Sequence, residues 1–140
     1  MDVDKTVIVI DDDAELCTLL RCLFESVNLK VQTFTNAHSF LHCYDPRQRA
    51  CLIIDVRMPG MSGIELLEHL NSARNRLSII IITGYGDVPM AVRAMKAGAE
   101  DFMIKPVNPQ HLLETTQRCF NKNQNKVPLS EVDVGNALIL

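Results

Sequence analysis

No apolar run in this chain approaches the roughly 20 residues needed to cross a bilayer. Its first residues, MDVDKT, are acidic where a secretory leader would be basic. Neither a membrane association nor export is expected, and a cytoplasmic location is. There is no CxxC pair, and the five cysteines (Cys17, Cys22, Cys43, Cys51, Cys119) are odd in number. Set mostly among apolar neighbours, they read as reduced core thiols rather than a disulfide or metal framework. Basic charge is also scarce: 14 Lys and Arg stand against 17 Asp and Glu, for a net charge of -3. Phosphate-backbone contacts need a concentrated basic surface, so no direct binding of nucleic acid by this domain is expected, and other proteins are the expected partners. A second full domain does not fit in 140 residues, although 47% hydrophobic residues suffice for one domain to bury its own core.

What the chain does have is alternation. Apolar β-branched runs and amphipathic segments follow one another five times, the pattern of a doubly wound α/β fold. Strands are expected near 6–10, 29–34, 50–54, 78–82 and 101–104. The first, third and fourth are nearly continuous in Val, Ile and Leu, as suits central parallel strands covered on both faces. LKVQTF alternates and reads as an edge. The expectation is a flavodoxin-like (βα)5 sandwich whose five-stranded parallel sheet has the order 2-1-3-4-5.

Helices fall between the strands. Leu16, Leu19, Leu20, Leu23, Phe24 and Val27 repeat at helical spacing over 14–26, and a shorter helix is expected near 37–44. Ser62 and Glu65 form a capping box that opens a helix to about 73. Asp87 caps a fourth helix, with Pro89 in its first turn and Gly98 after its last, and Asn108-Pro109 starts a fifth that ends near Asn121. Beyond it, NKNQNKVPLSEVDVGNALIL is polar and amide-rich, then weakly apolar. Residues 1–121 are thus expected to form the domain and 122–140 a linker or C-terminal tail.

Four of the apolar runs end on residues able to handle a phosphoryl group: Asp11 and Asp12, Asp55, Thr83 and Lys105. On parallel strands these would meet at one rim, where open α/β sheets bind ligands. Two carboxylates about 4 Å apart repel by roughly 4 kcal/mol at an effective dielectric near 20, so a divalent cation such as Mg²⁺ is expected to offset the cluster. Asp13 reads as the cap of the next helix. Asp55 could serve as ligand, base or nucleophile, Thr83 as a hydrogen-bond donor to a phosphoryl oxygen, and Lys105 as a partner of the carboxylate and then of the phosphoryl oxygens. The isomer of the Lys105–Pro106 bond is left open by the sequence.

These stretches resemble the receiver domains of two-component response regulators. IDDD, IIDVRMPGMSGIELL and IITGYGDVPMAVRAMKAGAEDFMIKP stand in that family's order and spacing over about residues 5–121, and the last is most similar to FixJ-type transcriptional regulators. The resemblance implies that Asp55 is the phosphoacceptor. It implies that Asp11, Asp12, Asp55 and the backbone carbonyl of Arg57 hold Mg²⁺, and that Thr83 and Lys105 contact the phosphoryl group. The donor would be a phosphohistidine of a sensor histidine kinase, and water would later hydrolyse the acyl phosphate; the domain would be a signalling phosphoacceptor rather than an enzyme. Phe102 would be a switch aromatic that turns inward when Thr83 shifts, altering the surface of the fourth helix, fifth strand and fifth helix. A homodimer on phosphorylation and a DNA-binding output domain after this chain are further implications. Tyr85 stands where aromatic or small residues vary in the family, and Gly60 replaces an acidic residue often found there; neither removes a required group.

The four histidines (His38, His42, His69, His111) fall in helical segments and are expected to be solvated, and most methionines to serve packing, with Met90 and Met95 placed to meet a partner. Three other readings compete. A flavodoxin-type electron carrier shares the sheet, but three aspartates would repel an FMN phosphate. A haloacid-dehalogenase-type phosphatase needs a second acid two residues after the nucleophile, where Arg57 stands. A receiver-like module could bind partners without being phosphorylated.

Overall fold

The computed structural model describes residues 5–72 and 76–124. The strands are β1 (Thr6–Ile10), β2 (Lys30–Phe34), β3 (Arg49–Asp55), β4 (Arg76–Thr83) and β5 (Asp101–Ile104). The helices are α1 (Ala14–Glu25), α2 (Ala37–Cys43), α3 (Gly63–Ser72), α4 (Val88–Lys96) and α5 (Pro109–Gln124). All strand pairs are parallel and the order is β2-β1-β3-β4-β5, the doubly wound sheet expected. The central strands β1 and β3 are buried almost throughout because helices cover both faces, whereas β2 at the edge alternates.

Side chains of period two distribute the strands between two cores. Ile8, Ile10, Leu52, Ile54, Ile79 and Ile81 pack with Phe40 of α2, Leu66, Leu67 and Leu70 of α3, and Ala94 of α4. Val7, Val9, Cys51, Ile53, Ile80 and Ile82 face Cys17, Leu20 and Phe24 of α1 and Leu112, Cys119 and Phe120 of α5. Right-handed crossovers require this division: the chain moves one way from β1 to β2 and the other way thereafter, so α1 lies opposite α2, α3 and α4.

The helix starts follow local chemistry. Asp13 accepts from the amides of Glu15 and Leu16, Asp87 from Met90 and Asn108 from His111. Ser62 and Glu65 exchange reciprocal bonds of 2.9 and 3.1 Å. Asn36 caps α2 through Ser39, a cap the sequence reading did not assign. Both β3 and β4 extend beyond their apolar runs, since Arg49 and Arg76 pair in register at the start of the ladder. Helix α5 continues to Gln124, past the expected end near Asn121. The expected linker or tail lies, from residue 125 on, outside the described residues.

None of the five cysteines is in a disulfide. Cys17, Cys51 and Cys119 are buried, but Cys22 and Cys43 are exposed, because each sits on the solvent side of an amphipathic helix. The histidines are exposed as expected. No helix among the described residues is long and apolar enough to cross a membrane.

Candidate functional site

Sheet register assembles the rim. Ile10 pairs with Ile54, so the next residues, Asp11 and Asp55, emerge side by side; Asp55 pairs with Ile82 and Thr83 with Ile104, which brings Thr83 and Lys105 alongside. The ladder extends by backbone bonds just beyond the strands, Asp11 N–H to Phe34 at 3.0 Å, Val56 N–H to Ile82 at 3.1 Å and Lys105 N–H to Thr83 at 2.8 Å. These are the carboxyl ends of the strands, at the point between β1 and β3 where the winding reverses.

The side chains converge. Carboxylate oxygens of Asp11, Asp12 and Asp55 all lie within 4.8 Å of one another. Asp11, Asp55 and Thr83 are buried, while Asp12 is exposed at the mouth. Lys105 Nζ lies 2.8 Å from Asp11 and 3.5 Å from Asp55, with 26% of its side chain exposed. Asp11 also accepts the Asp13 N–H at 2.9 Å, and its carbonyl accepts from the Cys17 thiol at 3.3 Å. A shallow hollow beside Asp12 is lined by Val56, Arg57, Met58, Pro59 and Ser62.

Electrostatics follow from this crowding. Burial, then the charge of Asp11, pushes the Asp55 carboxyl up to about 6, with Lys105 offsetting part of the rise. Burial alone would lower the Lys105 ammonium, but its bond to Asp11 and the charges of Asp11 and Asp55 raise it above its ordinary value. Three hard carboxylates facing one ammonium leave an uncompensated negative charge. That donor set fits a divalent cation which prefers oxygen ligands.

Two features lay beyond the sequence reading. The first is Gly63, where a Cβ would come within 2.3 Å of the Asp55 carbonyl oxygen and 2.9 Å of Val56 Cα. Its amide donates to the Val56 carbonyl at 2.9 Å, so the start of α3 presses directly on the backbone that carries Asp55. Gly63→Ala is expected to cost about 1–3 kcal/mol by overpacking and to displace Asp55. A drop in urea midpoint together with weakened Mg²⁺ binding is the check; a variant matching the parent in both would contradict it. The second is the Arg57 side chain, whose guanidinium sits 4.1 Å from the centre of the Tyr85 ring, joining the loop after β3 to the loop after β4. Sequence drew attention to each residue separately; only the facing of the two loops shows the pair.

The structure thus brings Asp11, Asp12, Asp55, Thr83 and Lys105 to one rim, with Arg57 beside it and Phe102 half-buried one strand away against the core of α2, α3 and α4. The Lys105–Pro106 bond is cis. Fold and rim define a flavodoxin-like α/β domain with an acidic cluster at its switch point. The chain belongs to the Response regulator receiver domain family, whose sequence profile matches residues 7–117.

Among its relatives, the transcriptional regulatory protein FixJ of Azorhizobium caulinodans is 43% identical over 115 residues, covering 82% of this chain and 54% of that protein. Nodulation protein W of Bradyrhizobium diazoefficiens is 40% identical over 120 residues, covering 86% and 53%. The chain therefore spans about half the length of these curated relatives. Of solved structures, response regulator StyR superposes with a TM-score of 0.84 at 41% identity, covering 97% of this chain and 68% of that one. FixJ-N superposes with a TM-score of 0.77 at 37% identity, covering 89% and 97%.

Proposed function

We propose that this receiver domain accepts a phosphoryl group on Asp55 and uses it to change its affinity for partners. The observation that carries this reading is Lys105 Nζ lying 2.8 Å from Asp11 and 3.5 Å from Asp55 at the mouth of a cluster of three carboxylates. Asp11, Asp12, Asp55 and the Arg57 backbone carbonyl would hold Mg²⁺. When bound, that ion neutralises the carboxylates and the oxygens of the incoming group.

With a pKa near 6, Asp55 is mostly ionised at neutral pH, as a nucleophile must be. Its oxygen attacks the phosphorus of a sensor kinase phosphohistidine in line; the phosphorus–nitrogen bond breaks, and its electron pair leaves with the imidazole. Lys105 pairs with the phosphoryl oxygens as they replace the Asp55 charge. Thr83 turns its hydroxyl toward them, and Phe102 moves into the space so opened, which alters the surface of α4, β5 and α5. Hydrolysis of the acyl phosphate by water resets the domain.

The regulator of which this domain is part works in the cytoplasm on transcription. Residues 1–121 form its receiver and 122–140 lead toward a DNA-binding output domain, and phosphorylation favours a homodimer. The test is incubation with acetyl phosphate and Mg²⁺ followed by intact-mass measurement. A gain of one phosphoryl group that is prevented by EDTA is expected. No gain under any metal condition would overturn the proposal.

A further inference from the structure

We propose that Gly86 is the positioning residue through which movement of Thr83 reaches Phe102, because it is where the loop after β4 bears on the ring. This rests on the switch reading above and adds to it a path and a residue. The contacts run in sequence. Thr83 Oγ1 accepts the Tyr85 N–H at 3.1 Å, so displacement of the buried hydroxyl toward the rim draws the amide of Tyr85 with it. Gly86 follows directly in the chain. At Gly86, a Cβ would come within 3.0 Å of Phe102 Cε1, and within 2.9 and 3.0 Å of Ile104 Cγ1 and Cδ1. Ring and loop therefore stand close enough that a side chain at position 86 would require one of them to shift.

Gly84, two residues earlier in the same loop, has nothing within 4 Å of its Cβ position. Of the two glycines in this loop, Gly86 is the one that makes the tight approach. Its φ lies outside the left-handed region, so the backbone accepts an L-residue there, and what matters is the space that a methyl group would take. The two neighbours would answer differently. Ile104, 55% exposed, can rotate its flexible end into solvent. The Phe102 ring is half-buried against the core of α2, α3 and α4, and its alternative is the turned-in position. A methyl at 86 thus acts on the ring's present position, and the three atoms nearest to it belong to Ile104 and Phe102 rather than to the carboxylates, Thr83 or Lys105.

The experiment uses the 140-residue chain with para-fluorophenylalanine in place of Phe102, read by fluorine NMR, with beryllofluoride and Mg²⁺ as the phosphoryl stand-in. The parent should show a resonance that shifts with the stand-in and does not shift in Asp55→Asn. Gly86→Ala should populate the shifted position without the stand-in about tenfold more than the parent, as expected from mild overpacking of the resting position. It should still bind beryllofluoride, and Gly84→Ala should match the parent.

If the parent's resonance does not respond at all, the switch reading fails and takes this proposal with it. If the parent responds but Gly86→Ala has the parent's resting spectrum, or Gly84→Ala shifts equally, the role of Gly86 alone is overturned. Should Gly86→Ala fail to fold, adding Phe102→Leu decides: recovery of parental thermal unfolding supports the ring contact, and no recovery overturns it.

Discussion

Replacing Asp55 by Asn is expected to abolish phosphorylation by acetyl phosphate and, at the same time, to make the metal-free protein more stable at neutral pH. The first effect follows from the proposed role of the Asp55 carboxylate as the nucleophile, which an amide cannot fill. The second follows from linkage: the Asp55 carboxyl stands at about 6 in the fold against 3.8 as its ordinary value, so between those values the folded state holds the extra proton. Stability from this group is highest below about pH 4 and is lost as pH rises through 6. Asparagine stays neutral at all pH and keeps nearly the same shape, while Lys105 retains its closer partner Asp11 at 2.8 Å. A shift of about two pKa units bounds the gain near 3 kcal/mol, so about 1–3 kcal/mol is expected at pH 7 to 8. Urea unfolding in EDTA across pH measures it. Parent and variant should converge near pH 4, and a variant that is less stable at pH 8 would contradict the account of the rim.

Lys105→Ala should do the reverse. Asp11 is fully buried, and the described ion pairs of both Asp11 and Asp55 go to Lys105. Removing one partner of such a pair leaves charge in a poor dielectric, a change that costs 3–5 kcal/mol in fully interior cases. The Lys105 side chain is 26% exposed and water can reach the mouth, so about 2–4 kcal/mol is expected for the metal-free protein. Added Mg²⁺ should restore most of it, since the carboxylates that would hold the ion are intact. The response of partner binding to beryllofluoride should nevertheless be lost. Equal stability of parent and variant in EDTA would show that the ammonium does not hold the cluster together.

Both expectations rest on residues that the sequence itself marks out. The central strands were legible because runs such as VIVI and IIII are β-branched and unbroken, and a strand buried on both faces has no other way to look. Parallel register then brought Asp11, Asp55, Thr83 and Lys105 together without further information. Caps at Ser62, Asp87 and Asn108 were legible because capping is a three-residue affair. What the sequence kept hidden depends on approach between distant segments. The pressure of Gly63 on Asp55, the stacking of Arg57 on Tyr85 and the seating of Gly86 against Phe102 each need two backbones at a known separation. Solvent exposure of Cys22 and Cys43 was missed because apolar neighbours in the chain are not neighbours in space on a helix.

The division of the sheet into two cores has a mechanical meaning. Phe102 belongs with α2, α3 and α4, but the next residue, Met103, belongs with α1 and α5. Repacking around the ring would therefore begin on one face of the sheet, with Phe24 and Phe120 packed on the other. The last helix packs on that opposite face through Leu112, Cys119 and Phe120. Under the proposed switch, a message leaving by the ring would travel sideways, through a remodelled exterior, rather than as a tug along the polypeptide.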